Sequence, residues 1–147
     1  MRILIFLLPI VFLFTSCDEL PLFGAGSDSN EAMKLNIKSD EIRNMQHIKA
    51  DFLFVNLSGK KVEYGFPSSC QHGFIVKKSE EIFFDSRYAY ACLTVLTSLE
   101  LRQGESKTYK INLSGAEYQP LDSGTYTLDA FLLTNDSDTV STTFTVD

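Results

Sequence analysis

Two scarce residue types in this chain could do covalent or acid–base chemistry: three cysteines, Cys17, Cys70 and Cys92, and two histidines, His47 and His72. A thiol can serve as nucleophile, metal ligand or half of a disulfide, and an imidazole as base or ligand. None of the spacings fits catalysis. There is no G-x-S-x-G elbow, neither histidine has a recognisable set of partners, and no glycine-rich loop could cradle a phosphate. The histidines stand alone, without the ligand spacing of a zinc site. Asp136-Ser137-Asp138 falls far short of a calcium loop and reads as a turn. The sequence predicts a protein that is not an enzyme, with no catalytic residue, metal or cofactor.

Cys17 is set apart by what precedes it. Met1-Arg2 is followed by an apolar run from Ile3 to Phe14, then by Thr15-Ser16-Cys17. That is a charged start, an apolar stretch of about a dozen residues and small residues at a cleavage point. The run is short of the ~20 residues that cross a bilayer, and Pro9 interrupts it. Phe14-Thr15-Ser16-Cys17 resembles the lipobox of bacterial lipoproteins, with Phe14 where that motif favours Leu. The resemblance implies removal of residues 1–16, acylation of Cys17 and anchoring of the exported chain in a cell-envelope membrane. Residues 17–32 mix Gly, Ser and acidic side chains without a period of 2 or 3.6, and read as anchor and flexible spacer.

With Cys17 acylated, Cys70 and Cys92 remain as one pair in a compartment where disulfides persist. A bond between them closes a loop of about 23 residues, worth on the order of 3 kcal/mol by chain entropy. Two buried free thiols are the alternative. The formal charge of −6 becomes −7 when Arg2 leaves with the signal. An acidic chain without Lys/Arg clusters is a poor partner for nucleic acid or anionic lipid.

The elements that must position these residues are short strands. Met33 to Ile37 alternates apolar and polar side chains, as a half-buried strand does. Ala50 to Asn56 is dense in Phe and Val and suits a central strand covered on both faces. Asn56-Leu57-Ser58-Gly59 supplies turn chemistry. Val62, Tyr64 and Phe66 then share a face, and Pro67 ends that strand. Gly73–Lys77 and Ile82–Asp85 form a hairpin, and Ser98–Leu101 and Ser106–Leu113 flank a second turn. Tyr126, Leu128, Ala130 and Leu132 line one side of the next strand, and Val140, Thr142, Phe144 and Val146 alternate in the last. Between residues 86 and 97 the period fails, leaving a helical turn or an irregular crossing. Asp40 to His47, with Ile42 and Met45 at i, i+3, is a short helix or a loop.

About eight strands, with turns every 8–12 residues and no βαβ alternation, predict an all-β fold over residues 33–147: an antiparallel, immunoglobulin-like β-sandwich. A barrel is the second choice. Most aromatics fall on strands and belong to the core. The exceptions are Tyr88 and Tyr90 beside Cys92, in a stretch that reads as loop, where binding residues concentrate. With Gln71 and His72 next to Cys70, they are the candidate partner-binding residues.

Several segments come in a familiar order. Phe52 to Ser58 is followed by Val62-Glu63-Tyr64-Gly65-Phe66-Pro67-Ser68, then Cys70 to Phe74. Leu99 to Tyr109, carrying Gly104-Glu105, precedes Gly124-Thr125-Tyr126-Thr127. Over residues 48–146 this resembles the BsuPI family, the intracellular proteinase inhibitor domain, a small β-sandwich. The resemblance implies inhibition of a serine protease by protein–protein contact, through loops such as 67–73 or 86–97. Its matching residues are mostly turns and core, so they specify fold before function. Two further readings stand beside it: an accessory envelope lipoprotein without a protease target, and a carbohydrate-binding module built on Tyr88 and Tyr90.

Overall fold

The computed structural model describes residues 31–39, 41–113, 120–135 and 137–147. The signal segment, Cys17, the spacer to residue 30, Asp40 and Asp136 lie outside the described residues. The first strand, β1 (Glu31–Ile37), begins two residues ahead of the expected domain start at 33.

β1 and β2 (Lys49–Asn56) pair antiparallel, and β2 pairs in turn with β7 (Ser106–Asn112), giving a three-stranded sheet. β3 (Val62–Phe66) pairs with β6 (Thr97–Leu101). The third sheet has the order β5-β4-β8-β9, from Glu81–Asp85, His72–Lys78, Gly124–Leu132 and Thr139–Val146. All the pairings between these nine strands are antiparallel, and the sheets form a sandwich, not a barrel.

Period-2 patterning decides which side chains enter the core. Ala50, Phe52 and Phe54 of β2 are buried, as are Tyr126, Leu128, Ala130 and Leu132 of β8. Burying Phe52 or Phe54 contributes on the order of 2–3 kcal/mol each. β2 is central in its sheet but is not covered on both faces, since Asp51, Leu53 and Val55 point to a half-exposed side. Its apolar density is real, but no second layer covers that outer face.

Two polar devices fix the corners. Asn56 is fully buried, and all its groups are used. Its Nδ2 donates to the Lys60 and Leu101 carbonyls, and its Oδ1 accepts from the amide and hydroxyl of Ser58. Its amide donates to Glu105 O and its carbonyl accepts from Gly104 N. Gly104 has φ 75°, a left-handed conformation that glycine takes without strain. The second device is the Tyr126 hydroxyl, which donates to Asp122 O four residues upstream. Immunoglobulin-type sandwiches brace the same kind of strand in this way.

The stretch that sequence left open, residues 86–97, combines both alternatives. A four-residue helical turn, α1 (Ser86–Ala89), is followed by irregular chain up to β6. Between residues 40 and 48 the helix reduces to a 3-10 turn at Met45–His47, with Ile42 and Met45 buried.

Candidate functional site

The loop from α1 to β6 is built outward from firm supports. Asp85 caps α1 by accepting from Arg87 N, and its carboxylate also takes the Arg87 guanidinium through Nε and Nη2. Bonding to Arg87 holds the Asp85 carboxyl below its usual range. The guanidinium also lies over the rings of Tyr88 and Phe131, at 5.7 and 5.6 Å. Ser86 is buried and accepts from Phe74 N, which staples α1 to β4. Tyr90 N donates to Ser86 O, and the Tyr90 ring leans on Phe74 and Phe84.

Beyond Tyr90 the loop is tied to the segment after β3. Cys70 and Cys92 are disulfide-bonded, with Cα atoms 5.6 Å apart. Next to the bond, Ser69 N donates to Leu93 O and Leu93 N donates to Ser69 Oγ, at 3.0 and 2.9 Å. Thr97 Oγ1 donates to Ser68 O, and Thr97 pairs with Phe66 in the β3–β6 ladder. The loops around residues 67–73 and 86–97 are therefore one structure, crosslinked at its centre.

The four residues singled out near the cysteines divide by direction. Gln71 is turned inward: its Nε2 reaches Thr97 Oγ1 and Ser98 O, and its Oε1 accepts from the Tyr109 hydroxyl. His72 is half-buried and stacked on Tyr109, with ring centroids 4.5 Å apart. Burial lowers the His72 pKa and pushes that of Tyr109 up to about 12. Gln71 and His72 thus brace the base of the loop. Tyr88 is 87% exposed and Tyr90 43%. Their rings have different partners, Arg87 for one and Phe74 with Phe84 for the other.

Three residues that the sequence reading did not single out complete the surface. Leu93, Val95 and Leu96 are 73%, 49% and 85% exposed. Of seven large apolar side chains exposed among the described residues, five lie between residues 88 and 96. Single exposed apolar residues are ordinary, but a cluster on one short segment makes a candidate contact surface. The sequence held a signal: Leu93, Val95 and Leu96 follow a cysteine and precede a strand, with no period-2 partners to share a core. Among the described residues, no group of three or more His, Cys, Asp or Glu is placed to hold a metal ion.

The described residues thus form a β-sandwich that presents one braced, crosslinked loop with exposed apolar side chains. The chain is a member of the BsuPI family of intracellular proteinase inhibitors, whose model matches residues 35–137. No curated protein matches it.

Proposed function

We propose that this protein inhibits a serine protease by docking the 88–96 loop on it, and does so outside the cytoplasm, held to an envelope membrane by a lipid on Cys17. One observation carries the docking surface: among the described residues, five of the seven exposed large apolar side chains lie between residues 88 and 96, in a chain of the proteinase inhibitor family. An inhibitor loop must present apolar contacts while losing little conformational freedom on binding. Here the disulfide, the Ser69–Leu93 bonds and the Asp85–Arg87 cap restrict the loop before any partner arrives.

The anchor rests on the sequence from Met1 to Cys17. An export leader separates this chain from inhibitors that work inside the cell, so its target is an exported or surface protease. The same leader accounts for a disulfide at Cys70–Cys92, which a reducing cytosol would not maintain.

Titration of the full chain into a panel of subtilisin-like proteases tests the inhibitory reading. Loss of activity in at least one member at micromolar inhibitor is expected, and a panel without any loss rejects it. Metabolic labelling with a fatty acid tests the anchor separately: the wild-type chain takes up label and Cys17→Ala does not.

A further inference from the structure

A protease that holds a loop as it holds a substrate reads two things at one residue. Its oxyanion donors need a carbonyl that is free to accept, and its primary specificity pocket needs a projecting side chain. Within the 88–96 loop these requirements fall on different residues, and few meet both.

Tyr88 lies in the helical turn α1, and Tyr90 has its ring packed on Phe74 and Phe84. Leu93 projects its side chain, but its backbone is spent. Its amide donates to Ser69 Oγ, and its carbonyl accepts from both Ser69 N and Val95 N, which fills both lone pairs. Val95 has its amide engaged with Leu93 O and carries a stiff, β-branched side chain. Thr94 offers only a small polar side chain.

Leu96 is different. Its side chain is the most exposed of the loop's aliphatic residues, and neither its N–H nor its C=O has an intramolecular partner among the described residues. It is also supported on both flanks. Leu93 is fixed to Ser69 on one side, and Thr97 is fixed to Ser68 and paired with Phe66 on the other. The segment Thr94-Val95-Leu96 therefore spans two anchors, and Leu96 is its one large residue with an unengaged backbone.

We infer that Leu96 enters the primary specificity pocket of the target, which is a protease with an apolar pocket for a large aliphatic side chain, while Leu93 is the strut that holds the loop and a lateral contact. The inference rests on the inhibitory reading proposed above and assigns the residue that sets its specificity.

The test compares Leu96→Arg with Leu93→Arg in the full chain, against an apolar-pocket serine protease that the wild type inhibits and against a trypsin-type protease with a carboxylate at the base of its pocket. An arginine forced into an apolar pocket is unpaired, and the same arginine matches the carboxylate. Leu96→Arg should weaken inhibition of the first protease by at least about 100-fold and create inhibition of the second. Leu93→Arg should weaken the first by less than about tenfold and create none of the second. The assignment is overturned if Leu93→Arg is the variant that switches target, or if Leu96→Arg inhibits the first protease as wild type does. A wild-type chain that inhibits no serine protease removes the inhibitory reading itself, an outcome distinct from wild-type inhibition that is indifferent to residue 96. Both side chains are exposed, so neither variant disturbs the core.

Discussion

Two connections in this molecule are each held by several internal bonds but face opposite ways. The Asn56–Lys60 turn is centred on a buried amide whose every donor and acceptor is matched within the protein. Leu57 is the single exposed large apolar residue there. The 88–96 loop is held by a disulfide, a few backbone bonds and a capped helical turn, and it turns nearly all its apolar side chains outward. The first arrangement makes stability and the second stores a surface. Exposing Leu93 and Leu96 in a restrained loop leaves apolar surface in water, which is why the loop is the candidate contact surface.

This contrast can be broken at several points. The largest effect is expected from Asn56→Ala, which strands the Lys60 and Leu101 carbonyls and the Ser58 amide in a buried corner. Urea unfolding should show a loss of about 3–4 kcal/mol. A loss under about 1 kcal/mol would mean that the turn is not the anchor described here. Next comes the double variant Cys70→Ser, Cys92→Ser, expected to cost about 3 kcal/mol by release of the crosslink. It should also abolish protease inhibition while far-ultraviolet circular dichroism still reports a β fold. Retained inhibition would show that the hydrogen bonds to Ser69 suffice to present the loop.

A smaller effect comes from His72 at the base of the loop. Burial lowers its pKa from 6.5, so the unfolded chain binds the proton more readily than the folded one. Its contribution to stability is complete above pH 6.5 and is lost as pH falls through the lowered folded value. His72→Phe, which keeps a ring against Tyr109, should flatten unfolding free energy against pH in that window. An unchanged slope would assign the acid sensitivity to the carboxylates. The smallest stability effect is expected from Tyr88→Ser and Leu96→Ser, within about 0.5 kcal/mol of wild type because the side chains are exposed. Inhibition by the same variants should fall, and that divergence between stability and binding is the sharpest form of the contrast.

The regular parts of the fold were legible because a sheet with one wet face writes its register into alternating side chains. β3, β7, β8 and β9 all follow the pattern that their residues predict. β2 was over-read: Phe-Leu-Phe-Val satisfies a strand buried on one face or on both, and only the neighbouring layer decides. The site was less legible. The cysteine pair joins the loops around residues 67–73 and 86–97, and Tyr88 is exposed. Gln71 and His72 follow Cys70, and the fold engages them with Tyr109, Thr97 and Ser98. Leu93 and Leu96 escaped notice because an apolar residue in a sequence is assumed to face inward. Its direction depends on contacts with residues 68–70, some two dozen positions away, which no local pattern encodes.

The paired bonds between Ser69 and Leu93 have a consequence in time as well as in shape. Each residue bonds the other through two separate groups beside a covalent link, so the pair is a single rung of ladder set in irregular chain. Solvent-facing loops ordinarily let their amide hydrogens exchange almost freely, while protected amides belong to the elements that open last. The Ser69 and Leu93 amides are expected to lie between the two groups, since both are hydrogen-bonded although the side chain of Leu93 faces water. Hydrogen exchange should therefore be slower at the Ser69, Leu93 and Val95 amides, which are donated within the protein, than at the Leu96 amide beyond them.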